Sequence, residues 1–153
     1  PESIGVESKI ITTKTKQLLD IANNTFFEKG KKNLHLIDLG ETACLVLGKI
    51  LAEKNIPHAL VVDERTTRLL CEGPENLKKI MQKKLHVKID IDKTKLENFS
   101  GCKIIRSAEL MYIAYKKGLV RIKDKKILDA ILYALKFKGC SISTDEIERI
   151  KKL

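Results

Sequence analysis

The spacing of apolar residues changes twice between residues 40 and 72, and this change constrains the fold more than any other feature. Residues 41–54, ETACLVLGKILAEK, place apolar side chains at the period of an α-helix that is buried on more than one side. The run HALVV at 58–62 is short, apolar and bounded by polar residues, which is typical of a strand covered by helices on both faces. Residues 64–72, ERTTRLLCE, return to a helical period. This succession predicts an α/β protein with a small central parallel sheet.

The rest of the chain continues the alternation, and CKII at 102–105 is predicted to be a second buried strand. Helical periods are predicted at about 12–28, 75–84, 107–118, 126–139 and 143–153, and LHLID at 34–38 is predicted to be a short strand or an extended segment. Residues 73–100 begin with Gly-Pro and are rich in charge, so we expect them to form a helical insertion. Because no internal repeat or linker appears, residues 1–153 are predicted to form a single domain.

The charge balance favours an anionic partner. The chain has 30 Lys and Arg against 20 Asp and Glu, a net charge of +10, which points to RNA or another nucleic acid. Lysine runs such as LKKIMQKKLHVK at 77–88 are also typical of solvated helix faces. Charge alone leaves both interpretations open.

The cysteines and histidines do not follow a metal-binding pattern. Cys44, Cys71, Cys102 and Cys140 lack the close spacing of a zinc site or a dithiol motif, and the three histidines are scattered. With no signal peptide and no apolar run long enough to cross a bilayer, we expect reduced thiols in a cytoplasmic protein with no membrane partner. The few glycines do not form a phosphate-binding loop, which disfavours the common nucleotide folds.

Acidic residues follow the predicted strand HALVV. Asp63 and Glu64 come where open α/β sheets usually place their ligands, although Asp63 could instead be the N-cap of the next helix. Glu41 begins the preceding helix, and an antiparallel packing of that helix on the strand would bring Glu41 and Asp63 to one edge. We expect their carboxylates within about 8 Å, a separation at which they could share hydrated Mg²⁺ or Mn²⁺.

Two blocks of the chain carry a family resemblance. IDLGETACLVLGKILAEKNIPHALVVDERTTRLL at 37–70 resembles the C-terminal half of a PIN domain, and residues 104–147 are similar in order and spacing to the closing helices of archaeal PIN-like proteins. The resemblance implies a three-layer α/β/α fold and a metal-dependent nuclease of the ribonuclease type. It further implies that Glu41 and Asp63 are metal ligands, that Glu64 is a supporting catalytic acid, and that Mg²⁺ or Mn²⁺ is the cofactor.

Basic and hydroxyl residues near this predicted edge complete the candidate site. Arg65, Arg68 and Arg106 would hold the phosphate backbone, and Ser107 falls where the family often has a small hydroxyl residue. In such a site the ions activate water for attack on a phosphodiester and stabilise the leaving oxygen.

The chain departs from the PIN pattern at its start. PIN domains begin with a strand that carries the first catalytic Asp, whereas this chain begins PESIGVESKIITTKTK, and Glu7 is the only early acid that could replace it. We therefore expect either an N-terminally truncated form of a longer protein or a degenerate acidic site. Two functions follow: a metal-dependent ribonuclease, or a non-catalytic PIN-like module that binds RNA or a protein partner. A homodimer is also compatible with the sequence.

Overall fold

The structure is a computed structural model that describes residues 7–28, 30, 33–122, 124 and 126–153. Most of these residues lie in helices. In chain order the elements are α1 (Ser8–Asn23), β1 (Phe26–Glu28), α2 (Leu39–Glu53), β2 (Leu60–Val61), α3 (Arg65–Glu72), α4 (Pro74–Leu85), β3 (Ile89–Ile91), α5 (Lys93–Leu96) with a 3-10 turn at Glu97–Phe99, β4 (Ile104–Ile105), α6 (Ser107–Lys116), α7 (Ile127–Phe137) and α8 (Thr144–Ile150). The predicted mixed α/β class is confirmed. No helix among the described residues is both long enough and apolar enough to span a membrane.

The backbone contacts divide the chain into two compact units. The first unit comprises the described residues of 1–60 and 66–103, and the second comprises those of 61–65 and 104–153. In the first unit α1 packs against α2, and α4 packs against β3. In the second unit α7 packs against both α6 and α8.

In the first unit, the strands β1 and β3 pair in an antiparallel ladder that the sequence patterns did not predict. Phe26 lies opposite Ile91, and Glu28 lies opposite Ile89. The prediction of one helix over residues 12–28 is therefore wrong at its end, because the backbone leaves the helix at Asn24 and Phe26 is fully buried in the strand. The segment predicted as a helical insertion, residues 73–100, contains helices α4 and α5, and it also contains strand β3, which the sequence patterns did not predict.

The second unit is built around one apolar cluster. Ala108, Leu132 and Ile147 are fully buried within it, one residue from each of the three helices. Helix α8 begins with a capping box in which the Ser143 hydroxyl accepts from the Glu146 N–H at 3.2 Å and the Glu146 carboxylate accepts from the Ser143 N–H at 2.9 Å. This capping box confirms the predicted start of the final helix.

The runs HALVV and CKII contribute the paired strands β2 and β4, as predicted. The Leu60 N–H donates to the Lys103 carbonyl at 2.8 Å in the first unit, and the Val62 N–H donates to the Ile105 carbonyl at 2.9 Å in the second. Because both partners advance in the same direction, the pairing is parallel. The sheet has two short strands, so the PIN-like three-layer arrangement stays a prediction.

A close contact inside the first unit gives a stability prediction. A Cβ atom at Gly48 would lie 2.9 Å and 3.1 Å from the two Cδ atoms of Leu60, a side chain that is only 6% exposed. We expect Gly48→Val to lower the free energy of unfolding by about 2–3 kcal/mol, because the buried leucine has little room to move. Urea denaturation followed by circular dichroism measures the change.

Gly40→Val is the matched control in the same helix. A Cβ atom at Gly40 would meet nothing within 4 Å, so this variant carries the helix propensity of valine without the clash. We expect its effect to stay below about 1 kcal/mol in either direction. Equal losses in the two variants would contradict the packing explanation.

Candidate functional site

Asp63 lies directly after β2 and fixes the start of helix α6 in the second unit. Its Oδ1 accepts from the Ser107 N–H at 2.8 Å, and its Oδ2 accepts from the Ser107 hydroxyl at 2.6 Å. The side chain of Cys140 also interacts with this carboxylate and acts to lower the pKa of Asp63. Asp63 therefore satisfies a free N–H at the first turn of α6, where the helix dipole also favours a negative charge.

These contacts stabilise the ionised form of Asp63. Burial opposes ionisation, but the hydrogen bonds from Ser107, the side chain of Cys140 and the positive charge of Arg106 outweigh it, so the pKa of Asp63 is lowered. The sequence left open a role for Asp63 as N-cap of its own following helix, and the carboxylate instead binds the N-terminus of α6. Ser107 is the first residue of that helix, and Arg106 occupies the N-cap position.

Arg106 lies at the centre of a buried ion-pair network in the second unit. The residue is 7% exposed, and its Nε donates to the Glu109 carboxylate at 2.8 Å. Its Nη1 donates to the Ser141 carbonyl at 2.8 Å and to Glu146 Oε1 at 2.9 Å, while its Nη2 also donates to Glu109. The sequence placed Arg106 on a phosphate-binding rim, and the structure gives its guanidinium two carboxylates and a carbonyl as partners.

The network shifts the titration of both acids toward lower pH. Burial would raise the pKa of Glu146, but hydrogen bonds from Ser143 and Arg106 outweigh it and lower this pKa to about 2. Burial also opposes the ionisation of Glu109, but the hydrogen bonds from Arg106 outweigh it and lower the pKa of Glu109. In turn, the hydrogen bond to Glu109, together with that to Glu146, raises the pKa of Arg106 despite its burial.

Acid should therefore weaken the second unit. A glutamate titrates near pH 4.3 in an unfolded chain, so the contribution of Glu146 to stability is present above that pH and is lost as the pH falls toward about 2. We expect the free energy of unfolding to decline from about pH 5 to pH 2. Urea denaturation at a series of pH values should show a shallower decline for Glu146→Gln, and an unchanged slope in that variant would contradict the assignment.

The remaining predicted site residues are divided between the two units. Glu41 lies in the first turn of α2, where a negative charge suits the helix dipole, and Arg68 forms an ion pair with Glu72 at 3.8 Å; both belong to the first unit. Glu64 and Arg65 are exposed and belong to the second unit with Asp63. The short distance expected between Glu41 and Asp63 stays a prediction.

The donor set around Asp63 does not fit a divalent ion. Within the described part of the chain, no three His, Cys, Asp or Glu side chains form a group that could hold a metal ion. Both oxygens of Asp63 accept hydrogen bonds from Ser107, and the acids Glu109 and Glu146 bind Arg106. A shared Mg²⁺ would need several free oxygen ligands that this arrangement does not offer.

The sequence patterns missed the partners of Arg106 and the contact of Cys140 with Asp63. Glu109 follows Arg106 by three residues at a helix start, a spacing that indicates local contact. Glu146 and Cys140 are far from their partners in the chain, and no local signal identifies them.

Comparison of the chain with protein-family models, curated proteins and solved structures finds no match in any of the three.

Proposed function

We propose that this protein is a non-catalytic, PIN-like module that binds single-stranded RNA through exposed lysines of its first unit. The observation that carries the proposal is a group of four exposed lysines on and after helix α4, which we call the lysine face: Lys79, Lys83, Lys84 and Lys88. Among the described residues none of the four has an acidic partner. Lys78, by contrast, forms an ion pair with Asp90 at 3.5 Å.

The placement of these lysines leaves their charge uncompensated. Lys79 and Lys83 are four residues apart on one helix, where two like charges destabilise a helix by about 0.2–0.5 kcal/mol. Lys83 and Lys84 lie in the last turn, where the helix dipole offsets part of that repulsion, but Lys79 lies outside that turn. A phosphate backbone would neutralise all of them and release its condensed counterions.

The geometry in the second unit argues for binding without cleavage. The Asp63 carboxylate holds the start of α6, and Arg106 is buried against two glutamates, so neither group is free for a phosphodiester. The lysine face therefore replaces Arg106 as the principal phosphate contact in this proposal. Arg65 is exposed in the second unit, and its contact with phosphate stays a prediction.

Fluorescence anisotropy with a labelled single-stranded RNA tests the binding. If the four lysines each neutralise one phosphate, log K should fall with log salt at a slope of about −3, since single strands give about −0.7 per contact. A protein that does not bind, or whose affinity is independent of salt, would refute the proposal. In that case a role in protein interaction would be the better account.

A cleavage assay tests the second candidate, a metal-dependent ribonuclease. Asp63 follows the carboxyl end of parallel strand β2, where α/β sheets often place ligand groups, and this position favours that candidate. We expect the wild-type protein and Asp63→Asn to leave RNA intact alike in Mn²⁺. Robust cleavage by the wild type that Asp63→Asn abolishes, with unchanged thermal unfolding, would establish the nuclease instead.

A further inference from the structure

One aromatic ring of the second unit lies almost entirely in solvent. Phe137, at the last position of helix α7, is 82% exposed, whereas the other three phenylalanines of the chain are buried or half-buried. Phe137 is not among the residues that form the apolar cluster of this unit. The core therefore gives no reason for an aromatic residue at this position, and a role at the surface is the alternative.

Phe137 is paired with a second ring that the core holds in place. Tyr133 lies four residues earlier on α7, so the two side chains share one face of the helix. The ring centroids are 6.4 Å apart and the ring planes are inclined by 30°, which is within the range of interacting aromatic rings. Tyr133 is half-buried and packs against the apolar cluster. We call Tyr133 and Phe137 the ring pair, in which the inner ring is anchored and the outer ring is open to solvent.

A lysine lies against the ring pair. The Lys136 Nζ is 5.9 Å from the centroid of the Tyr133 ring, a distance typical of a cation–π contact, and it donates to the Thr144 hydroxyl at 2.6 Å. Within the described part of the chain Lys136 has no acidic partner, so its charge is available to an anion. Exposed aromatic rings beside positive charges are what proteins use to bind single-stranded nucleic acid, since a base stacks on the ring and the cation contacts the backbone.

We propose that the ring pair binds one unpaired base of single-stranded RNA, which stacks on Phe137 while Lys136 contacts an adjoining phosphate. The partner in this inference rests on the proposed function, and the site is a second one, in the second unit, that contacts bases of any sequence. Both chain neighbours of Phe137 are lysines, a residue depleted in protein–protein interfaces, so the surroundings favour an anion over an apolar protein partner. We assign the phosphate contact to Lys136 and not to Lys138, because Lys136 is the lysine that lies against the ring pair.

Tryptophan fluorescence tests the stacking. The chain has no tryptophan, so Phe137→Trp places a single reporter in the ring pair, and a base stacked on its indole should quench the emission. We expect a uridine oligonucleotide to quench most of this emission. The same strand in a duplex with its adenine complement should not, because its bases are already stacked. Leu119→Trp is the matched control, since Leu119 is exposed in the same unit and lies outside the ring pair, and its emission should stay constant.

Two lysine variants in the Phe137→Trp background test the phosphate contact. Lys136→Gln should raise the RNA concentration at half-maximal quenching about fivefold at about 0.1 M salt, because one phosphate contact is lost. Lys138→Gln removes the same charge one residue beyond the ring pair in the chain, and it should shift that concentration by less than about twofold. Equal shifts in the two variants would overturn the role of Lys136.

The outcomes separate this inference from the proposed function. Salt-dependent binding in the anisotropy assay without quenching of Phe137→Trp would overturn the ring pair as a site and leave the lysine face standing. Quenching that survives replacement of the lysine face by glutamine would support the ring pair by itself. Absence of RNA binding in both assays would overturn the two together. Dimers in sedimentation experiments that Phe137→Ala dissociates would show that a second copy covers the ring, and would overturn the stacking site.

Discussion

Replacing Arg106 with methionine is expected to lower the free energy of unfolding by about 2–4 kcal/mol. The guanidinium is the common partner of Glu109, Glu146 and the Ser141 carbonyl, and its side chain is 9% exposed. Methionine fills much of the same volume but leaves both carboxylates without their shared positive partner. Both glutamate side chains are 35% exposed, so water relieves part of the loss and keeps it below the value for a fully buried pair.

Urea denaturation at neutral pH measures this loss, and Arg149→Met is the matched control. Arg149 lies on α8 in the same unit and is exposed, and among the described residues it donates only to the Asp145 carbonyl, at 3.4 Å. We expect the control to change stability by less than about 0.5 kcal/mol. Adding Glu109→Gln and Glu146→Gln to Arg106→Met should recover part of the stability, because neither acid is then left as an unpaired charge. A loss in Arg149→Met as large as that in Arg106→Met would argue against the network.

Replacing Lys79, Lys83 and Lys84 together with glutamine is expected to weaken binding to single-stranded RNA by about 30- to 100-fold at about 0.1 M salt. Each lysine that neutralises a phosphate contributes about −0.7 to the slope of log K against log salt, so the slope should become less negative by about 2. Glutamine removes the charge while keeping a good helix propensity, and helix α4 should therefore remain folded. Anisotropy titrations from low to high salt give the affinity and the slope in one experiment.

A charge-matched control separates a local surface from a general effect of net charge. The triple variant with glutamine at Lys117, Lys138 and Lys152 removes three exposed lysines from the second unit, so both triple variants lower the net charge of +10 by three. We expect the control to weaken binding by less than about fivefold, because charges that do not contact a phosphate act only through a field that 0.1 M salt screens within about 10 Å. Equal losses in the two triples would mean that RNA responds to overall charge and not to the lysine face.

The helices were largely predictable because their signals are local. The period of apolar residues predicted a helix at 41–54, and α2 spans Leu39–Glu53; the lysine-rich helix predicted at 75–84 is α4, Pro74–Leu85. Each of these signals lies within a few helical turns of sequence. The apolar positions fall on one face of the helix, and that face is the one that is buried. The boundaries differ by one or two residues, as expected where caps rather than apolar period decide the ends.

Strand β1 was mispredicted because its evidence lies elsewhere in the chain. The pair Phe26 and Phe27 fits the end of a helix as well as a strand, and nothing near it distinguishes the two. Its partner Ile91 lies in the segment that the sequence patterns assigned to a helical insertion. A short strand is stable only when a partner completes its backbone hydrogen bonds, so its existence depends on a distant contact.

The sequence by itself determined the mixed α/β class, most helices, the two apolar runs that pair in parallel, and the positive charge. The tertiary structure alone decided the partners of the polar side chains. Asp63 binds Ser107, 44 residues away, and Arg106 binds Glu146, 40 residues away. Residue type gives each group the capacity for several partners, but which one it meets depends on how the elements pack. The same carboxylate that resembled a metal ligand in the sequence therefore holds the start of a helix in the structure.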